Sequence, residues 1–269
     1  MSYINKDNLG KLVDYKHPLC HEKFPLILFW SPKSGCTSLI KWYFFQLGLV
    51  QEEIQKNAQW YFWSKYLPNN YNRQHVIKQI LEGKKDKYKL VRNPYKRAVS
   101  SFLFTLNAGF DPQRRFRLHK EFEKITNMFN NDKTDVNGMS FKQFLYYIKK
   151  VGPNIGEIDF HIAQQYVKGE EFFVNNYIHL DDFNSEIREI ENKYGLIKSP
   201  LSEIIKSPHH MSQKMTEKKE FAETIITSEL FRGQLPTYEN FYDKEAQDLV
   251  RAIFQKDFEV YGYNETELT

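Results

Sequence analysis

The sequence has little cysteine, little net charge and no long apolar run, and each shortage excludes a class of protein. Its 269 residues include two cysteines, Cys20 and Cys36, which are too few for a disulfide framework. Lys and Arg number 38 against 34 Asp and Glu, and this balance is too mild for a nucleic-acid-binding domain. No window approaches about 18 uninterrupted apolar residues, so we expect no transmembrane helix.

The N-terminal segment, residues 1–14, is polar and lacks the apolar core of a secretory signal. With the scarcity of cysteine, this predicts a cytoplasmic protein in a reducing compartment. Hydrophobic residues make up 41% of the chain and charged residues 27%, which is typical of a globular protein. The length suits one large α/β domain, and we expect a single domain over residues 1–269.

Short apolar runs alternate with amphipathic segments along the chain. Strands are predicted at residues 25–30, at 88–91 and within 171–180, because these runs are short and apolar. Helices are predicted at residues 38–47, 71–82, 94–106, 114–130, 140–150, 243–261 and from a cap at Asp181 or Asp182 to Tyr194. The charged helix 114–130 is expected to be exposed, and residues 197–212 are expected to form a loop. The alternation predicts an α/β fold with a central parallel sheet flanked by helices.

A polar loop follows the first predicted strand and leads into a helix; residues 31–38 read SPKSGCTS. The first N–H groups of a helix lack intrahelical partners and lie at the positive end of its dipole, so such a loop presents donors to an anion. Gly35 allows close approach of the backbone, and Thr37 and Ser38 add hydroxyl donors. Lys33 adds a mobile charge, but it precedes the single glycine, so this is not a Walker A motif. A plain strand–loop–helix corner with a serine cap is the alternative.

A second strand end carries Arg92, in the segment RNPYKRAVSS that begins the next predicted helix. In doubly wound folds, ligands bind at the carboxyl ends of the strands. Arg92 offers a charged fork for a phosphate, and Ser100 offers a hydroxyl. Arg97 can act in the same way or can pair with a nearby acid.

PKSGCTS after one strand and RNPYKRAVSS after another together resemble the motifs of the sulfotransferases that use PAPS (3′-phosphoadenosine 5′-phosphosulfate). In that family the first motif binds the 5′-phosphosulfate and the second binds the 3′-phosphate. The resemblance implies a P-loop-kinase-like sulfotransferase fold with its core at about residues 25–263. It also implies which residues hold the donor: Lys33, Ser34, Gly35, Cys36, Thr37 and Ser38 at the 5′ end, and Arg92 and Ser100 at the 3′-phosphate.

The order of elements is closest in pattern to the carbohydrate sulfotransferases of the chondroitin, dermatan and HNK-1 type and their bacterial relatives. Residues 159–165, DFHIAQQ, are similar to a D-x-H-W-x-P-Q segment of that group but lack its Trp and Pro. Residues 177–183, YIHLDDF, and 257–263, DFEVYGY, resemble two later segments, and 207–214 resembles a loop that closes over the nucleotide. The resemblance implies transfer of a sulfuryl group from PAPS to a hydroxyl, on a carbohydrate, with release of PAP.

Sulfuryl transfer needs a base for the acceptor hydroxyl and a cation for the leaving phosphate. Lys33 suits the second role, and a histidine suits the first because its pKa is near neutral. Of eight histidines, His161 is favoured because it lies in the D-x-H-like segment. His75 is the rival, since several sulfotransferases place their base upstream of the motif arginine. Two carboxylates are further alternatives, Glu157 and Asp159. Other histidines are expected to be structural or exposed: His17, His21, His119 and His179.

The sulfuryl group carries less charge than a phosphoryl group, so no metal cofactor is expected, and the sequence offers no convincing metal-ligand cluster. Two other functions stay open. A kinase would need magnesium and a carboxylate to hold it, and the absence of a Walker A motif argues against it. A non-catalytic PAP-binding protein is disfavoured by the intact Lys33, Thr37, Arg92 and Ser100. Six aromatic residues can stack on adenine or a sugar ring, although their helical spacing is more typical of residues in a hydrophobic core: Trp30, Trp42, Trp60, Tyr61, Phe62 and Trp63.

Overall fold

The structure is a computed structural model that describes residues 6–49, 52–111, 116–129, 138–206 and 215–268. The chain forms two compact units. The first contains Met1–Arg92 and Val167–His209, and the second contains Asn93–Tyr166 and His210–Thr269. The predicted nucleotide-covering loop at 207–214 lies outside the described residues. Within the described ranges, no helix is both long and apolar enough to cross a membrane.

Helices and strands alternate over the first two thirds of the chain, as predicted. In chain order the elements are α1 (Lys6–Asp14), β1 (Leu26–Trp30), α2 (Cys36–Gln46), α3 (Glu52–Tyr61), α4 (Leu67–Asn70), α5 (Arg73–Glu82), β2 (Asp86–Val91), α6 (Pro94–Phe110), α7 (Phe116–Phe129), β3 (Gly138–Met139), α8 (Phe141–Val151), β4 (Asn176–His179), α9 (Phe183–Tyr194), α10 (Leu201–Ile204), β5 (Met215–Glu217), β6 (Ile226–Thr227), α11 (Ser228–Arg232), β7 (Leu235–Pro236), α12 (Lys244–Ile253) and α13 (Gln255–Tyr261). A π-helical turn, Phe62–Tyr66, follows α3.

The first unit contains a parallel sheet in the order β1-β2-β4, which confirms the predicted fold class. Trp30 pairs with Leu90, and Val91 pairs with His179, so the carboxyl ends of the strands lie at one edge. β1 reads LILFW and is buried throughout, as expected for a strand covered on both faces. Its alternate side chains enter different clusters. Leu26, Leu28 and Trp30 pack with α2 and α9, whereas Ile27 and Phe29 pack with α1 and α5.

A charged pair is buried beside this sheet. Lys89 lies in β2, and its Nζ is 2.5 Å from Oε2 of Glu170, with side-chain exposures of 2% and 0%. The same Glu170 oxygen accepts the backbone N–H of Val167 at 2.9 Å. Buried charges are tolerated only when they are paired and hydrogen-bonded, so this pair constrains β2.

The second unit is mainly helical. Its core is formed by the apolar faces of α6, α7, α8 and α12, together with residues of the short antiparallel pair β3 and β6. The predicted Ser140 cap of α8 is confirmed, because Ser140 and Gln143 form a reciprocal capping box. β5 and β7 form a further short parallel pair.

Several predicted boundaries are wrong for identifiable reasons. The helix expected at 114–130 is not simply exposed, because Leu118, Phe122 and Ile125 of α7 are buried on one face. The single helix expected at 243–261 is interrupted at Phe254, whose backbone leaves helical geometry between α12 and α13. The polar N-terminal segment contains α1, and the loop expected at 197–212 contains α10. Leu9, Leu12 and Val13 of α1 are buried.

Candidate functional site

The loop between β1 and α2 has the backbone of an anion-binding turn. α2 begins at Cys36, two residues earlier than predicted, and Gly35 is its N-cap with φ 86°. Lys33 also has a positive φ, 68°, which a residue with a side chain rarely adopts. Strain of this kind is tolerated where surrounding contacts impose it, and it is often found at ligand sites.

Glycine is required at position 35 for a second reason. A Cβ built there would lie 2.4 Å from Cδ1 of Leu180, which directly follows β4. The loop therefore passes close against the end of a neighbouring strand in the sheet, and both the torsion and the space demand glycine.

Ser34 braces the loop against the strands. Its Oγ donates to the carbonyl of Ser31 at 2.5 Å and lies 3.3 Å from the carbonyl of Leu90 in β2. The side chain is fully buried. The resemblance predicts that Ser34 binds the donor, but its hydroxyl already donates to Ser31, so its backbone is the part that is suited to a ligand.

Arg92 connects the two sequence motifs within the first unit. Its Nη1 donates to the carbonyl oxygen of Lys33 at 3.0 Å, and Arg92 directly follows β2. The guanidinium carries further donors in the same plane. The structure therefore brings together the predicted 5′ loop and the predicted phosphate-binding arginine, which are 59 residues apart in sequence.

A residue that the sequence reasoning missed supports the first turn of α2. Gln59 of α3 places its Nε2 3.0 Å from Thr37 Oγ1 and 2.9 Å from Cys36 Sγ. α3 departs from helical geometry at Asn57, two residues before this contact. Because Thr37 Oγ1 accepts from Gln59, its own proton is directed elsewhere. Gln59 shows no motif in the sequence, and only the fold reveals the contact.

Cys36 is a buried thiol, and burial raises its pKa. A thiol held in its neutral form is a poor nucleophile, so its side chain acts in packing. Cys36 opens α2 and Ser38 donates its N–H back to the Gly35 carbonyl at 3.0 Å. Cys36 and Ser38 are therefore suited to an anion site through the backbone of the first turn of α2.

In the second unit, α6 carries the rest of the arginine motif. Asn93 caps the helix by accepting from the N–H groups of Tyr95 and Lys96, and Pro94 occupies the first turn as predicted. Ser100 is partly buried in the second turn of α6. Arg97 is also buried in α6.

His161 is held on several sides in the second unit. Its Nδ1 lies 2.8 Å from Oδ1 of Asp159, and its backbone carbonyl accepts from Ser101 Oγ at 2.7 Å. The rings of Phe104 and Phe160 pack against the imidazole at 4.9 and 4.2 Å. A carboxylate only accepts, so Nδ1 donates to Asp159, and Nε2 of the neutral ring carries the lone pair.

The alternatives to His161 lie in different settings. His75 is an exposed residue of the first turn of α5. Glu157 is exposed and accepts the N–H of Asn154 at 3.1 Å. Asp159 is bound to His161 itself, so the two candidate bases form one unit in which the carboxylate orients the ring.

A second carboxylate–histidine pair lies at the carboxyl end of β4. His179 Nδ1 is 3.0 Å from Glu186 Oε1, and its backbone N–H donates to Oε2 of the same residue at 2.7 Å. The sequence predicts that His179 is structural or exposed, and the structure places it in register with Val91, next to Arg92. This makes it a candidate that sequence reasoning did not include.

Among the described residues, one acidic group is close enough to hold a metal ion: Glu223, Asp243 and Glu245. The ammonium of Lys142 lies between them, at 2.8 Å from Glu223 and 2.6 Å from each of the other two. These contacts describe a lysine neutralised by three carboxylates at the start of α8 and α12.

The loop, the arginine that supports it and the parallel sheet beneath them form a strand–loop–helix corner of an α/β fold whose backbone N–H groups are suited to an anion. A family model described as "Sulfotransferase family" matches residues 17–264. That match covers most of the 269 residues, and the chain therefore belongs to the sulfotransferase family, whose members are transferases with a P-loop-like fold. No curated protein and no solved structure matches the chain.

Proposed function

We propose that the protein transfers a sulfuryl group from PAPS to the hydroxyl of a carbohydrate and releases PAP. The family supports sulfuryl transfer in general, and the donor and acceptor are our proposal. The observation that best supports this proposal is the hydrogen bond from Arg92 to the Lys33 carbonyl. It joins the two motifs that are predicted to bind the 5′ and 3′ anionic groups of the donor.

The residues present fit a phosphosulfate at the first loop. The N-terminus of α2, the positive-φ turn at Lys33 and Gly35, and the Thr37 hydroxyl supply donors to an anion. We assign the 5′ end to residues 33–38 and the 3′-phosphate to Arg92 and Ser100. The donor supplies an activated sulfuryl group whose bond to phosphate is broken during transfer.

The proposed reaction needs two groups from the chain. Lys33 stabilises the negative charge that develops on the leaving phosphate, in the way that a P-loop lysine acts in phosphoryl transfer. His161 Nε2 takes the proton of the acceptor hydroxyl as its oxygen forms the new bond to sulfur. Asp159 keeps the imidazole in the required tautomer and stabilises it once it is protonated.

Thermal unfolding tests the donor. PAP well above its dissociation constant is expected to stabilise the protein by a few kcal/mol, as 100-fold excess over Kd corresponds to about 2.7 kcal/mol. ATP with magnesium should give a smaller shift. A larger shift with magnesium and ATP than with PAP would support the kinase alternative instead.

The two carboxylate-paired histidines allow a matched test of the base. His161→Ala is expected to reduce turnover of PAPS by roughly 10²–10⁴-fold while PAP binding is retained. His179→Ala removes an imidazole with a similar carboxylate partner and should leave most turnover intact. The opposite ranking would place the base at His179, and loss in neither variant would favour His75 or Glu157.

A further inference from the structure

One cation lies near the anion loop of the first unit but belongs to neither sequence motif. Lys16 lies in the segment between α1 and β1. Its Nζ is 4.9 Å from the ring centroid of Trp30 and 5.3 Å from that of Trp63. Both distances are within the range of cation–π attraction, so two indole rings hold this ammonium.

Trp30 fixes the position of this cation relative to the loop. Trp30 is the last residue of β1 and directly precedes Ser31, the first residue of the loop. Its Nε1 donates to the carbonyl of His17 at 3.3 Å, so it also binds the backbone next to Lys16. The segment carrying Lys16 is thereby attached to the carboxyl edge of the sheet.

The first residue of α2 experiences the charge of this lysine. Burial raises the pKa of the Cys36 thiol, and the positive charges of Lys16 and Lys33 both oppose that rise. The rings of Trp30 and Trp63 are 6.3 Å apart, on the face of the sheet that also buries Cys36. Lys16, like the motif lysine, therefore favours negative charge at Cys36, the first residue of α2.

We propose that Lys16 is a second cation for the sulfate donor and contacts the anionic group at its 5′ end together with Lys33. This assignment rests on the proposed use of PAPS. A lysine held between two rings loses less side-chain freedom on binding than an exposed one. The indole faces also replace part of its hydration, which strengthens its attraction to a phosphate.

Calorimetric titration with two nucleotides tests where Lys16 acts. PAP carries a 5′-phosphate, whereas adenosine 3′-phosphate lacks it and keeps the rest of the molecule. The variants are Lys16→Met, Lys16→Arg and the control Lys65→Met. Lys65 is a suitable control because it too lies over a tryptophan, with Nζ 5.9 Å from the Trp60 ring, and its loss changes the net charge equally.

A charge-assisted contact corresponds to roughly tenfold to hundredfold in affinity. We therefore expect K16M to weaken PAP binding by at least about tenfold, and K16R to recover most of that loss. K65M should change PAP affinity by less than about twofold. The affinity for adenosine 3′-phosphate should be the same in K16M and in the wild type.

Three results would overturn the assignment: unchanged PAP affinity in K16M, an equal loss for both nucleotides, or an equal loss in K16M and K65M. If K16M does not fold, Lys16→Gln gives a second neutral variant for the same comparison. If the wild type itself binds no PAP, the proposed function fails and the role of Lys16 fails with it. That outcome is distinguishable from a failure confined to the variant.

Discussion

Replacement of Lys89 by methionine is expected to destabilise the protein by about 3–5 kcal/mol. In the wild type, the ammonium of Lys89 lies 2.5 Å from the carboxylate of Glu170. In the variant, this carboxylate would stay fully buried without its ammonium partner. The backbone N–H of Val167 would still donate to it, but a neutral donor of this kind does not offset a buried charge. The strand affected is β2, which ends next to Arg92.

Equilibrium unfolding in urea measures this cost, and a second substitution shows its origin. In K89M/E170Q the charge is gone and the amide oxygen can still accept from Val167, so we expect the double variant to recover most of the lost stability. An exposed pair serves as the control. Lys56 and Glu52 also approach to 2.5 Å, but with 74% and 79% of their side chains exposed, so K56M should cost less than about 1 kcal/mol.

The explanation by buried charge would be refuted if K89M and K56M cost the same, because the Lys89–Glu170 pair is buried whereas the Lys56–Glu52 pair is exposed. It would also be refuted if K89M/E170Q were as unstable as K89M. The loss would then come from packing of the lysine stem and not from an uncompensated charge.

Three further predictions concern the loop and its surroundings. Gly35→Ala should reduce PAP affinity in a binding titration by more than about tenfold, because φ is 86° and the new methyl would lie 2.4 Å from a methyl of Leu180. The control is Gly195→Ala, where φ is 62° and no neighbouring described atom lies within 4 Å of the new methyl. This control should leave PAP binding unchanged. Gln59→Met removes the donor to the Thr37 hydroxyl and should weaken PAP binding by about fivefold. This factor corresponds to one hydrogen bond of about 1 kcal/mol. Unchanged PAP affinity in the variant would contradict this role of Gln59. Burial lowers the pKa of His17, although the charge of Asp14 opposes this shift. The unfolded chain therefore takes up a proton first as the pH falls, and the free energy of unfolding should decrease below about pH 6.5. His17→Gln should show a smaller decrease when unfolding is measured from about pH 7 to about pH 5.

The sequence was most informative where local chemistry sets the structure. The apolar run of β1, the single glycine of the loop and the proline after Arg92 each act through neighbouring residues, and the predicted strand–loop–helix corners were confirmed. The apolar stripe of Leu118, Phe122 and Ile125 is also visible in the sequence, but the many charged residues around it favour the prediction of an exposed helix. The prediction of a helix is therefore correct for α7, but the prediction of exposure holds for one face of it only.

Other features depend on contacts between distant segments, which periodicity does not reveal. Gln59 reaches α2 after an irregular turn at Asn57, and Lys16 reaches the same region from the segment before β1. The pairing of His179 with Glu186 required both the strand register and the position of α9. The individual roles proposed for Lys33, Arg92, Ser100 and His161 remain predictions.

Label transfer tests the central claim most directly. Desulfated chondroitin and dermatan are incubated with the protein and either ³⁵S-labelled PAPS or γ-³³P-labelled ATP, each with magnesium or with EDTA. We predict that ³⁵S enters the glycan fraction, that EDTA does not prevent it, and that His161→Ala reduces it by roughly 10²–10⁴-fold. Incorporation of ³³P without ³⁵S, or a strict requirement for magnesium, would contradict the proposed PAPS-dependent reaction.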